Sequence, residues 1–204
     1  MTTHCGLCYT KVVIMKVLIS TRTLDSPGGF SFDAFERGFY SMFREYDTTA
    51  LINKKNQNFQ KLAVDHDLLV LSGGDDHPQR LITEIEMIKQ FRLQGKPILG
   101  ICHGAFLLTQ LMDGKCESVE GHRRTEHAVW YKYEQRIVNS YHGSAITMAP
   151  TDAKVLVTDD NGFIESWQLE NVMAVVWHPE RDLNNHWVPD EFQDILKTLK
   201  ESKK

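Results

Sequence analysis

The segment Gly100-Ile101-Cys102-His103-Gly104 constrains this chain more than any other. Residues 97–101 read as a short buried strand, and 105–111 read as the opening of an apolar helix. A glycine-flanked cysteine at such a junction has the form of a nucleophile elbow, where the chain turns too sharply for neighbouring side chains. The turn exposes the sulfur at a helix N-terminus, where the helix dipole favours a thiolate. The same residues also suit a buried structural cysteine in a tight turn, so further site residues must decide between the two readings.

The flanking pattern supplies a sheet for this turn. Residues 12–20 are rich in β-formers and lead into a polar loop over 21–29. Phe32, Phe35, Phe39 and Phe43 then recur at helical spacing, which predicts a helix with an aromatic core stripe. Strands are predicted at 48–52 and 67–72. A helix is predicted over 81–92, with Leu81, Ile85, Ile88 and Phe91 on its inner face. After Lys115 the segments become short and turn-separated (126–131, 135–139, 144–149, 153–158, 163–168), as antiparallel strands do. Residues 172–177 return to a fully apolar strand, and a last helix opens at Pro189 with Phe192, Ile195, Leu196 and Leu199 turned inward. The expected fold class is α/β, a mainly parallel central sheet flanked by helices, with a small antiparallel β portion. Residues 1–14, which contain Cys5-x-x-Cys8, read as an N-terminal extension before a single domain over 15–204.

Composition excludes several classes of function. A net charge of -4 and the lack of a long basic block argue against a nucleic-acid binder. No apolar run reaches the roughly 18 residues of a membrane span, so a soluble, cytoplasmic protein is expected. Four cysteines, scattered along 204 residues, do not form a disulfide framework, and Cys116 reads as core. The nine histidines show no compact ligand spacing beside a cysteine, so neither a metal nor an organic cofactor is expected.

In an open parallel sheet, ligands lie beyond the carboxyl ends of the strands. Three polar loops follow apolar strands there: Cys102 itself, Gly73-Gly74-Asp75-Asp76, and His178-Pro179-Glu180. A cysteine nucleophile needs a base, and the base needs an orienting acceptor. His178 suits the first role and Glu180 the second. An isolated His-x-Glu would read as a satisfied surface pair; beside a cysteine elbow it reads as catalytic. The backbone N–H groups of His103 and Gly74 are the expected oxyanion donors.

Leu-Ser-Gly-Gly-Asp-Asp at 71–76, Gly-Ile-Cys-His-Gly at 100–104 and Trp-His-Pro-Glu at 177–180, in this order, resemble the class I glutamine amidotransferase fold from Met15 onward. Glu120-Gly121-His122 with His127, Asn139-Ser140-Tyr141-His142-Gly143 and Gly162-Phe163-Ile164-Glu165 further resemble its free-standing γ-glutamyl hydrolase branch. Within that branch, the Glu-Gly-His-x-x-x-x-His and His-Pro-Glu-Arg-Asp sequences resemble enzymes of capsule phosphoramidate modification, which release glutamate and cytidine diphosphoramidate. The resemblance implies cysteine-dependent hydrolysis of a small-molecule γ-glutamyl amide. Gly73, Phe106, Ser140, Tyr141 and His142 are its expected pocket residues. His122, Arg123, Arg124 and His127 read either as a phosphate-recognition cluster or as a solvated basic loop. Two positions depart from the branch: His103 stands where Arg is common, and Phe106 stands where a polar residue usually holds the glutamyl group. Two alternatives stay open. One is a glutaminase subunit that supplies ammonia to a separate synthase, and the other is a degenerate binding module that retains the fold without turnover.

Overall fold

The computed structural model describes residues 14–182 and 185–201; Cys5 and Cys8, in the expected extension, lie outside the described residues. Five parallel strands form one half of the main sheet, in the order β4 (Asp47–Leu51), β1 (Lys16–Ser20), β5 (Leu68–Leu71), β6 (Ile98–Ile101) and β13 (Val172–Val175). The same sheet continues through antiparallel strands β12 (Ile164–Leu169), β11 (Lys154–Asp159), β8 (Arg123–Tyr131) and β9 (Glu134–Tyr141). Two further strands, β10 (Ser144–Met148) and β7 (Lys115–Ser118), branch from β12.

Strands β5, β6 and β13 carry no polar side chain and are buried at every position because both faces of the sheet are covered. Val17, Ile19, Val70, Leu99 and Met173 face the C-terminal helix α5 (Asp190–Glu201) through Phe192 and Leu196, with Phe39 and Phe43 in the same core. Leu18, Leu69, Leu71 and Ile98 face the opposite core. That core includes residues of α2 (Phe59–Asp65), α3 (Pro78–Leu93) and α4 (His103–Leu111). Local signals set the helix starts. Asn58 caps α2 by accepting from the Lys61 amide, and Pro78 opens α3, where its missing N–H costs nothing.

Three expectations are corrected. The 21–29 loop contains half of a hairpin, β2 (Arg22–Asp25) paired with β3 (Ser31–Ala34), so Phe32 lies on an exposed strand. The aromatic helix shrinks to α1 (Gly38–Met42), with Phe39 and Phe43 buried on it and beside it. On α3 the expected face holds at Ile88 and Phe91, and Leu81 packs partly buried against the same core, but Ile85 is exposed, and Arg80, Thr83, Glu84 and Met87 complete the inner face. The buried Arg80–Glu84 pair lies on the inner side at positions that an apolar spacing does not mark.

Candidate active site

The site is built on three strand ends in register. Leu71 of β5 pairs with Gly100 of β6, and Ala174 of β13 pairs with the same glycine from the other side. The loops after these strands therefore open at one level of the sheet, with Cys102 in the middle. Gly100 and Gly104 are required by contact. A Cβ on Gly100 would lie 2.6 Å from the Gly104 carbonyl oxygen, and one on Gly104 would lie 2.5 Å from the Leu71 carbonyl oxygen. Cys102 itself has φ 50 and ψ -105, a left-handed conformation that costs about 1–3 kcal/mol in a non-glycine residue. Its amide donates to the Val175 carbonyl at 2.9 Å, and its carbonyl accepts from the Phe106 amide at 3.1 Å, so both ends of the strained residue are anchored. No side chain caps α4, and its first-turn N–H groups are left for the site.

His178 and Glu180 meet as the spacing predicts. Nδ1 of His178 lies 2.6 Å from Oε1 of Glu180, and both side chains are buried. The Cys102 side chain acts on the same ring. Burial opposes the charged ring, but hydrogen bonds to Cys102 and Glu180 and their charges outweigh it and raise His178 to about 9. Gly73 packs edge-on against this imidazole; a Cβ there would lie 2.3 Å from its Cε1. Gly74 follows at φ 134, a conformation open to glycine, which turns the backbone beside the cleft.

Residues that the sequence reading passed over hold these groups in place. Asn139 clamps the His178 backbone from both sides, accepting from its amide and donating to its carbonyl, each at 2.9 Å. Arg80 and Glu84 form a fully buried pair at 3.0 Å. Arg80 donates to the Ser72 carbonyl at 2.6 Å and the Gly73 carbonyl at 3.2 Å, which fixes the glycine loop. Glu84 lies 2.9 Å from Nε2 of His103 and accepts from Ser20 at 2.6 Å. Burial would raise the Glu84 carboxyl, but His103, Arg80 and Ser20 outweigh it and lower it. The side chain of His103 thus ties the elbow helix to α3. Their i,i+4 spacing was legible, but such pairs usually lie on solvated faces. On the far side of the dyad, Glu36 binds Arg181 through two hydrogen bonds of 2.8 and 3.0 Å.

A cleft of about 390 Å³ runs past the sulfur, a size suited to a small-molecule ligand. Gly74, Cys102, His103, Phe106, Arg123 and His142 are among its walls. A larger cleft of about 510 Å³ lies on the other side of Tyr141, without Cys102. Phe106 therefore borders the cleft, with its ring 5.8 Å from that of His142. The Tyr141 ring stands edge-on to His178 at 5.5 Å and carries the Arg181 guanidinium at 4.4 Å. Ser140 is buried beneath, donating to the His122 carbonyl, with His142 Nε2 at 2.9 Å.

The basic cluster divides. Arg123 reaches the cleft along Gly143, whereas Arg124 sits at a β-bulge with φ 55, exposed and outside the cleft walls. His122 and His127 turn inward, with ring centroids 4.8 Å apart. The alternation of a twisted hairpin separates neighbours that the sequence had grouped.

Comparison with known proteins adds a family context. The family model for glutamine amidotransferase class-I matches residues 31–193. The chain is 29% identical over 142 residues to the gamma-glutamyl-CDP-amidate hydrolase of Campylobacter jejuni, covering 63% of this chain and 70% of that one. It is 29% identical over 176 residues to the glutamine-hydrolyzing GMP synthase of Bdellovibrio bacteriovorus, covering 79% of this chain and 30% of that one. Among solved structures, a glutamine amidotransferase from Thermotoga maritima matches with a TM-score of 0.66 at 17% identity. That match covers 90% of this chain and 84% of that chain, and it reflects a shared fold.

Proposed function

The chain belongs to the glutamine amidotransferase class-I family, and from that premise we propose that it hydrolyses a γ-glutamyl amide through a thioester on Cys102. One observation carries this reading: a buried imidazole, held by Glu180, has its charged form favoured by the cysteine of a strained, glycine-flanked elbow. The Cys102 thiolate attacks the γ-carbonyl carbon. Negative charge then builds on the carbonyl oxygen, where the amides of Gly74 and His103 are the expected donors. Protonated His178 gives its proton to the departing nitrogen as the C–N bond breaks. The neutral ring then takes a proton from water, whose oxygen attacks the thioester carbon; the C–S bond breaks and glutamate leaves.

The leaving group is an amine or amidate larger than ammonia. Phe106 borders the cleft where the branch usually offers a polar contact to the glutamyl group, so binding energy has to come from elsewhere in the substrate. Arg123 supplies a charge at the cleft that matches a phosphate-bearing leaving group. The relative from Campylobacter jejuni makes γ-glutamyl-CDP-amidate the first substrate to try, and the sequence resemblance to enzymes of capsule phosphoramidate modification suggests that setting. Glutamate release is the assay, across free glutamine and γ-glutamyl conjugates, with Cys102→Ala as blank. The conjugate is expected to turn over faster than glutamine. Robust glutamine turnover with every conjugate slower contradicts the choice.

A second reading, a glutaminase subunit for a separate synthase, draws on relatives named as synthases or synthase subunits; the chain spans 30% of one and 42% of another. Glutaminase activity that appears only with an added synthase would select it.

A further inference from the structure

We propose that His122, His127 and His142 form a binding site for a divalent transition metal of zinc type in the wall of the candidate cleft, with Glu165 as the carboxylate behind His127. A ring nitrogen from each histidine lies within 4.8 Å of the others. Linear spacing hides this arrangement. His122 precedes β8 and His142 follows β9, while the hairpin pairs Arg123 with Tyr141 and His127 with Val138. Folding the hairpin thus brings together residues up to twenty positions apart, above Glu165 on β12.

The donors are unspent. Nδ1 of His122, Nδ1 of His127 and Oε2 of Glu165 are buried with no hydrogen-bond partner among the described residues, and Nε2 of His127 has only the Glu165 carboxylate beside it. A buried polar group left unmet is costly, and several within one small space call for a common partner. His142 is already held as a metal ligand would be. Its Nδ1 lies 2.7 Å from the Ser144 carbonyl, which only accepts, so the proton sits there and Nε2 keeps a lone pair. Ser140 Oγ, 2.9 Å away, is that nitrogen's present partner, and a metal could take its place because the Ser140 proton has a second acceptor in the His122 carbonyl at 2.5 Å. Oε1 of Glu165 stands 3.3 Å from Nε2 of His127, the geometry of a carboxylate that orients a ligating imidazole.

Charge selects a cation over an anion at this point. Glu165, Asp159 and Asp160 all act on His127, and Arg123 is the cation that approaches from β8 along Gly143. A phosphate group here would face a buried carboxylate with an unmet oxygen; a divalent cation would neutralise it. Three imidazoles without a thiolate suit zinc, cobalt, nickel or copper, whereas magnesium and calcium prefer oxygen donors. Three protein ligands leave a fourth position for water or for an anionic oxygen of the substrate. Because His142 also borders the cleft, that position is within the reach of a phosphate-bearing leaving group, a consequence that rests on the function proposed above.

Cobalt(II) titration tests the site itself, independently of activity. The full chain is stripped with a chelator, with Cys5, Cys8 and Cys102 replaced by Ser so that those thiolates do not compete. One equivalent of cobalt per chain is expected, with the visible absorption of a tetrahedral ion, displaced by zinc. His122→Ala with His127→Ala should abolish that signal, and Glu165→Gln should weaken binding by about 10–100-fold. Circular dichroism checks the fold of each variant. Should the double variant unfold, Glu165→Gln and the zinc-dependent rise in the melting temperature of the parent decide instead. Absence of stoichiometric cobalt, unchanged binding in the folded variants, or stabilisation by inorganic phosphate but not by zinc would overturn the assignment.

Discussion

The parallel half of the sheet and the β8–β9 hairpin both border one cleft, yet they are built on opposite terms. Around the elbow, Ser20, Ser72, Arg80, Glu84 and His103 are all buried and mutually hydrogen-bonded. Across the cleft, Arg123, Arg124, Thr125 and Glu126 run along an exposed strand interrupted by a bulge. Thiol attack needs atoms held to a fraction of an ångström, so its residues are locked by packing. The proposed leaving-group recognition tolerates a looser fit and would sit on a surface that can change without disturbing the core. The hairpin is not independent of the chemistry, however. Asn139 reaches from β9 to grip the His178 backbone, so the hairpin also steadies the proposed base.

The contrast can be broken most forcefully on the parallel side. Cys102→Ala should remove turnover, by a factor on the order of 10⁶ if the nucleophile behaves as in other triads, while the fold survives in a site that accepts a small residue. His178→Ala should cost about as much, and Glu180→Gln less, on the order of 10⁴ in kcat. Near wild-type rates in any of these, measured by glutamate release, would remove that residue from the mechanism. The same histidine sets a pH signature. Raised to about 9 from the ordinary 6.5, its contribution to stability is complete below 6.5 and is lost as pH rises through 9. Activity should fall through the same window, as the proton for the leaving nitrogen is lost. A flat pH profile between 7 and 10 would contradict that role.

Next in size is the network beneath the elbow. Glu84→Ala leaves Arg80 buried without its partner and should destabilise the fold by about 3–5 kcal/mol, read in a denaturant titration. A loss under 1 kcal/mol would mean the loop and elbow are held by packing alone. The smallest effects belong to the hairpin. Arg123→Ala should raise KM for a phosphate-bearing conjugate about tenfold, the equivalent of about 1.4 kcal/mol, and leave simple γ-glutamyl amides nearly unchanged. Arg124→Ala should change neither by more than about twofold. Equal effects of the two substitutions would return both to a single cluster and erase the asymmetry.

The same contrast explains what could be read in advance. The parallel strands and the three loops were legible because strands buried on both faces are continuous apolar runs, and because glycines mark turns by necessity. The hairpin β2–β3 was not, since Phe32 carried a helical spacing that the exposed strand does not use. On α3, Arg80 and Glu84 looked like a solvated pair, and their burial follows from partners 64 and 19 positions away in sequence, Ser20 and His103. The histidine cluster was hidden for a related reason. Register across a hairpin, with a bulge at Arg124, decides which side chains meet, and no local pattern encodes it.

The central claim is that Cys102 is the nucleophile, and alkylation by an electrophilic glutamine analogue, located by peptide mass spectrometry, tests it most directly. Cys116 provides an internal control, since burial raises its thiol to about 11 and leaves it unreactive near neutral pH. The expected result is one adduct per chain, on Cys102, formed in step with loss of glutamate release and strongly slowed by His178→Ala. No adduct on Cys102, or labelling of Cys116 at an equal rate, would contradict it.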